Sequence, residues 1–466
     1  MFRAVRNPRA AFLAAALVAF VWLNQGPSMR RYEALATQAS EHPEGRGALR
    51  AWLPFAFAYR RSADEELYFA IANAIRGVPF DREVLLRKRG DTSPAFRRAP
   101  PTDGRWHVPY AEVPFEYPAL LLPFILLPAG LSPSFEVFAP LFGALMAALV
   151  LASIHIAILA ISPHRESDRA KMWWCGIALL VAQGGLVVQR LDAVATFFLA
   201  LAFLAAVRGR PMLMGVAVAL AAAAKITPIL MIVPFCTADR ETWRSRSSLL
   251  RVLAGLSVGL CAGFVPMVLM SPRGFGDFLQ YHGARGLQIE STYGTVVAIV
   301  KSCCTEAAPA TLSFGSYNLD GRAERVLANA SPFVLLAAIA ALGMWLLRSH
   351  RGPFAGPERR RFIACAGLCA LSWIWLLGKV FSPQYLTWGI PFAVAVYTRR
   401  ITLLLILAMA IAQIYLRGFY DAVVAMRPLG VAALAARTAA LVAMAILLLR
   451  GLAGREDGPQ PNANTR

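Results

Sequence analysis

Apolar runs of about 17–25 residues, each closed by charged residues, recur along the whole chain. A run of that length crosses a bilayer as a helix, at ~1.5 Å of rise per residue against ~30 Å of hydrocarbon. Inside hydrocarbon a segment must satisfy its own backbone, which leaves only helices and closed barrels. The runs are continuous and rich in Leu and Ala, without the alternation of a barrel strand. The expected fold is therefore an all-α polytopic membrane protein, one integral domain with a bundle of about ten to thirteen membrane helices. A composition of 58% hydrophobic and 16% charged residues agrees with it.

The net charge of +20 raises the question of nucleic acid. The Lys and Arg residues, however, sit in short clusters between spans, as the positive-inside rule expects, and no nucleic-acid partner is expected. Of the seven cysteines, Cys175, Cys236, Cys261, Cys365 and Cys369 lie in or beside apolar runs and read as small packing residues. Cys303 and Cys304 are neighbours in a polar loop, where a bond between them would be strained. Neither a disulfide framework nor a zinc site is expected. None of the six histidines sits at metal-ligand spacing, so no metal ligands are assigned. A divalent cation, Mg or Mn, held by carboxylates near Asp64 stays open as an alternative.

Arg3, Arg6 and Arg9 precede Ala10–Asn24, which reads as a retained first span with its N-terminus in the cytoplasm. Residues 25–116 then form a long extracytoplasmic loop, of a length that usually carries function. Within it, Ala63–Arg76 has the composition of an amphipathic helix that lies along the interface. Asp64, Glu65 and Glu66 fall in its first turn, and Gly77-Val-Pro79 ends it. Residues 81–107 are an Arg- and Pro-rich insertion, expected to be partly disordered. Tyr117–Leu131 is short and broken by Pro118, Pro123 and Pro128, and is expected to re-enter rather than cross.

Spans are expected at Phe135–Ile161, Trp173–Val188 and Ala193–Val207. Met212–Phe235, interrupted at Lys225-Ile-Thr-Pro228, is expected to be a hairpin of two half-length helices with both ends cytoplasmic. That keeps Arg240, Arg244, Arg246 and Arg251 inside. Leu249–Met270 carries Gly255, Gly259 and Gly263 at four-residue spacing, a helix-packing face. Residues 271–330 form a second external loop. Further spans are expected at Pro332–Leu347, Phe362–Leu377, Gln384–Val396, Ile401–Leu416 and Leu429–Leu449, with residues 451–466 a disordered cytoplasmic tail. This path has ten full crossings, to an order of magnitude set by run length, and places every short basic cluster on one side.

The same path gathers polar residues at the outer edge: Asp64, Glu66, Glu112, Glu116, Arg190, Asp192, Arg285, Gln288, Glu290, Lys379, Gln384 and Tyr385. Arg and Lys suit a phosphate, and carboxylates suit hydroxyls or a proton in transfer. Structural readings compete. Asp64 is placed to cap a helix, and Glu65 or Glu66 are alternative bases. Glu116 could bond backbone amides. Arg190 and Asp192 could pair with each other. Lys225 reads as a structural or phosphate-binding residue. Lys379, Gln384 and Tyr385 could form an interface belt with Trp388. A spacing of four puts Asp64 and Tyr68 on one helix face and turns Glu65 and Glu66 away from it.

Five places in order resemble the polyprenol-phosphate-sugar-dependent glycosyltransferases of the GT-C superfamily, and most closely glycosyltransferase family 87. They are Asp64-Glu-Glu-Leu-Tyr68 with Ala70, Ala72, Gly77 and Pro79; Val108-Pro-Tyr110 with Phe115-Glu-Tyr-Pro-Ala-Leu120; Arg190-Leu-Asp192 with Arg208-Gly-Arg-Pro211 and Gly215 through Lys225-Ile-Thr-Pro228; Arg285-Gly-Leu-Gln-Ile-Glu-Ser291; and Phe381-Ser-Pro-Gln-Tyr-Leu386. Ala119 stands where the family has a second Pro, and the Arg-rich insertion after Pro79 departs from its pattern.

The resemblance implies an integral protein of the bacterial cytoplasmic membrane with both termini cytoplasmic. It implies transfer of a sugar, most often mannose, from a polyprenyl-phosphate donor to a glycolipid or glycan hydroxyl on the outer face. Asp64 would be the catalytic base, with Tyr68, Glu116, Tyr117, Arg190, Asp192, Arg285, Gln288, Glu290, Lys379, Gln384 and Tyr385 around the donor. Two other classes compete. A lipid-linked-sugar flippase would hold its charges near the midplane and often show repeated halves. An O-antigen polymerase or ligase would make the Arg-rich insertion central.

Overall fold

The computed structural model describes residues 62–87, 100–163, 165–303, 308–349 and 356–453. The expected first span, the core of the Arg-rich insertion and most of the C-terminal tail lie outside the described residues.

Helix α1, Ala63–Arg76, has the expected bounds. Ser62 Oγ accepts from the Asp64 main-chain N–H, and Glu65 reaches back to the Ser62 N–H, which makes a capping box. Gly77, at φ 68°, closes the helix in the left-handed region. This helix does not merely lie along an interface. Leu67, Tyr68, Ile71, Ala74 and Ile75 are all buried. They pack on α2, Leu122–Leu131, and α3, Phe135–Ile161. The Pro-broken segment is short, as expected: a 3-10 turn at Ala119–Leu121 leads into α2, and thirteen residues span only ~20 Å.

Helix α4, Glu166–Gln183, stops at Gly184, and α5 is Asp192–Val207. Helix α6, Pro211–Ala224, ends at Lys225, and α8, Arg246–Met270, packs along it. The expected glycine face forms this contact. Gly255 lies on Met212 and Val216, Gly259 on Val216 and Ala219, and Gly263 on Ala223, with no room for a Cβ at any of them. Residue numbers rise together on both helices, so α6 and α8 run parallel. The chain between them must therefore come back. It does so through a 3-10 turn at Thr227–Met231 and the short helix α7, Ile232–Thr237. The hairpin forms as expected, with both ends at one end of the bundle.

The segment after α8 is structured. Helix α9 is Pro272–Ala284 and α10 is Thr292–Ser302. Strands β1 (Leu287–Gln288), β2 (Thr311–Ser313) and β3 (Ser316–Leu319) make a small antiparallel sheet in the order β1-β3-β2. Helices α11 (Arg322–Ser349), α12 (Gly356–Leu377), α14 (Arg399–Gly418) and α15 (Pro428–Ala453) are long. Gln384–Val396 is not a regular span. Pro383, Gly389 and Pro391 reduce it to a 3-10 segment, Pro383–Gly389, and the seven-residue α13, Ile390–Val396. Among the described residues, six helices are long and apolar enough to cross a membrane: α3, α8, α11, α12, α14 and α15.

The basic connectors meet at one end. Arg359 donates to the Val207 carbonyl (3.0 Å) and pairs with Asp239 (2.9 Å), and Arg360 donates to the Ile161 carbonyl (3.2 Å). The ends of α3 and α5, the hairpin base and the start of α12 are thus held together there. The polar residues expected at the outer edge lie at the opposite end.

Candidate active site

At that opposite end is a cavity of about 380 Å³. Seven separate segments supply its walls, one of them the β2–β3 turn with Phe314 and Gly315. Asp64 comes from α1, and Glu116 and Tyr117 from the chain entering α2. Lys225 comes from the hairpin tip, and His282 and Arg285 from α9 and its C-cap. Lys379, Gln384 and Tyr385 come from the turn after α12, and Ser331 and Leu335 from α11. Leu67, Ile226, Phe278 and Leu335 make part of the lining apolar.

The first turn of α1 sorts its three acids. Glu65 is fully buried and caps the helix, and Glu66 does not line the cavity. Asp64 faces the cavity, where it forms an ion pair with Arg190. Arg190 and Asp192 therefore do not pair with each other. Asp192, the first residue of α5, is buried and accepts from Trp388 Nε1 (3.1 Å), with Lys225 Nζ 3.7 Å away. Lys225 also lies 4.6 Å over the Tyr117 ring and 5.5 Å from that of Tyr385. A break in the helix puts a cation here because two aromatic faces and a carboxylate receive it.

Arg285 donates to Ser316 Oγ (3.2 Å), and Lys379 to the Gly283 carbonyl (3.1 Å). Burial and the nearby Arg285 charge both pull the Lys379 ammonium below its ordinary pKa. His282 Nε2 donates to the Glu116 carbonyl (3.1 Å). Burial, followed by the positive charges of Arg285, Lys225 and Lys379, brings its pKa down to about 3, so the ring is neutral. Tyr385 stacks on buried Trp388, with centroids 4.5 Å apart, and so belongs to the cavity wall rather than to a lipid-facing belt.

Five expected site residues do not line the cavity: Arg190 and Asp192, which pair with Asp64 and Lys225 of its wall, and Tyr68, Gln288 and Glu290. Tyr68 is buried behind Tyr117, their hydroxyls 3.4 Å apart. Gln288 and Glu290 are buried and bonded to each other (3.0 Å), because the turn before α10 points them into the protein toward α14 and α15. Conversely, His282 and Lys225 line the cavity without having been placed in the expected donor set. For Lys225 the signal was there, in a charge at a Pro-marked break. A lone His in a polar segment gives none. Among the described residues no three His, Cys, Asp or Glu side chains come close enough to hold a metal ion.

The model of glycosyltransferase family 87 matches residues 115–377, a little over half of the chain. The chain belongs to glycosyltransferase family 87. It is thus a membrane-embedded sugar transferase. No curated protein and no solved structure matches it. The matched stretch of this family 87 enzyme contains Glu116, Tyr117, Arg190, Asp192, Lys225 and Arg285. It begins after Asp64 and ends just before Lys379.

Proposed function

We propose that this family 87 enzyme moves a sugar, with mannose the expected one, from a polyprenyl-phosphate donor to a hydroxyl of a glycolipid or glycan, with Asp64 as general base. The observation that carries the reading is the make-up of the cavity. Two acidic residues, Asp64 and Glu116, border one space together with the cations Lys225, Arg285 and Lys379 and with apolar side chains.

The chemistry needs those parts. The acceptor O–H gives its proton to a carboxylate oxygen of Asp64 while its oxygen attacks the anomeric carbon. The bond from that carbon to the phosphate oxygen breaks on the opposite face, and its electron pair leaves with the polyprenyl phosphate. The anomeric centre inverts. The leaving group is already a stable anion, so one base suffices, where a glycosidase needs an acid as well. The donor phosphodiester carries one negative charge and the departing monoester gains another. Cations fixed around the phosphate therefore hold the transition state more strongly than the bound donor, which is what accelerates a reaction. The ion pair with Arg190 holds the Asp64 carboxylate in place. The apolar part of the lining suits the first isoprene units of the lipid.

The positive-inside rule supports a cytoplasmic position for the basic end, which would put the cavity on the extracytoplasmic face of the bacterial cytoplasmic membrane. The test is transfer from radiolabelled polyprenyl-phosphate mannose in membranes, comparing wild type with Asp64→Asn at equal insertion. Full activity in Asp64→Asn rejects the base. No turnover of any polyprenyl-phosphate sugar rejects the donor class.

A further inference from the structure

Arg437 lies nine residues into α15, about 14 Å along its axis, and is 1% exposed. An ionised guanidinium is kept out of water only where other groups meet it. Its Nη1 donates to the Tyr415 hydroxyl (2.7 Å), and its Nη2 donates to the main-chain carbonyl of Glu290. Its guanidinium carbon sits 4.4 Å from the centroid of the Phe381 ring. The Glu290 carboxylate in turn accepts from Tyr415 (2.7 Å), Tyr420 (3.2 Å) and Gln288 Nε2 (3.0 Å).

None of these groups lines the cavity, yet Arg437 touches the root of two of its walls. Glu290 belongs to residues 285–291, which begin with Arg285. Phe381 belongs to residues 379–385, which supply Lys379, Gln384 and Tyr385. The two segments are already joined by the Gln288 N–H, which donates to the Lys379 carbonyl (3.1 Å). Phe381 packs on Tyr385, with centroids 6.3 Å apart. Tyr415, Tyr420, Phe381 and Arg437 all fall beyond the residues that the family model matches.

We propose that Arg437 is a positioning residue for sugar transfer. From within α15 it clamps residues 285–291 to residues 379–385 and so sets the distance between the Arg285 and Lys379 cations across the cavity. Its kinetic consequence rests on the donor reading above; its structural consequence does not.

The test uses the full chain in detergent, with the variants Arg437→Met, Arg437→Lys and Phe381→Leu. Two quantities are read: hydrogen exchange by peptide, and transfer kinetics with polyprenyl-phosphate mannose. In Arg437→Met, exchange in both 285–291 and 379–389 is expected to rise about tenfold or more while α3 and α5 keep their rates. The donor KM is expected to rise about tenfold with kcat changed less than about threefold, as for lost ground-state and transition-state binding together. Arg437→Lys keeps the charge without the two-pronged donation, and its KM should fall between the two. Unchanged exchange in these segments overturns the proposal. So does a rise spread evenly over the whole molecule, or kinetics of the folded fraction equal to wild type. If Arg437→Met does not fold, Phe381→Leu decides: faster exchange in 379–389 supports the clamp and unchanged exchange rejects it. If the wild type turns over no polyprenyl-phosphate sugar, the donor reading fails, and exchange alone decides the positioning role.

Discussion

The two ends of the helical bundle use cationic side chains in opposite ways. At the basic end they are answered inside the protein. Arg359 and Arg360 donate to carbonyls at the C-terminal ends of α5 and α3, where lone pairs and the negative end of the helix dipole favour a cation. Asp239 completes the set. At the cavity end, Arg285 lies close enough to Lys225 and Lys379 for each to feel its charge, and all three border one space. The first arrangement is finished without a ligand. The second gathers like charges and favours an anion between them. A count of positive residues by loop treats both ends alike, and only the partners tell them apart.

The contrast can be broken most sharply at Asp64. Asp64→Asn should lower kcat by ~10²–10⁴ in the transfer assay, the usual worth of a general base. An activity near wild type would leave the cavity end with no chemistry to set it apart. Lys225→Met should come next, with kcat/KM down by ~10–100-fold, because one of the three cations bordering the cavity is gone. An equal fall in Arg359→Met would erase the distinction between the ends. Arg359→Met is instead expected to leave the kinetics of the folded protein unchanged and to cost about 1.5–3 kcal/mol of stability, since buried Asp239 loses a charged partner. The midpoint of thermal unfolding in detergent reads this directly.

The smallest effect concerns pH. The folded pKa of His282 is about 3, below its ordinary 6.5, so as pH falls the unfolded chain takes the proton first. Stability from this residue is complete above about pH 6.5 and is lost as pH falls toward 3. Unfolding midpoints between pH 7.5 and 5 should therefore drop less in His282→Gln than in wild type. Parallel slopes would mean that burial and the nearby cations do not lower the His282 pKa.

Local signals were legible and long-range pairings were not. The bounds of α1 follow from Ser62, Glu65 and Gly77, all within the helix or at its ends. The α6–α8 contact follows from a four-residue glycine period, and the hairpin from Pro228 and the charge rule. Gln384–Val396 misled because its apolar content matches a span while Pro383, Gly389 and Pro391 forbid a regular one. Arg190 and Asp192 are neighbours in sequence, yet each found its counter-ion elsewhere, in Asp64 and Lys225. Arg437 is a charge inside the expected span Leu429–Leu449 to which the sequence assigned no role, and its partner Glu290 lies 147 residues earlier. No spacing rule reaches that far. Asp64 as the base remains the reading of a motif joined to a cavity, with the first turn of α1 explaining why Glu65 is not its rival.

The parallel run of α6 and α8 has a consequence for how the protein is assembled. A hairpin that starts and ends at the basic end never has to move Arg240, Arg244 or Arg246 through hydrocarbon, a step that costs ~2.5–3.5 kcal/mol for each arginine at mid-membrane. Lys225, at the tip of that hairpin, is the charge that does lie at the far end, and the carboxylate of Asp192 at the start of α5 meets it there.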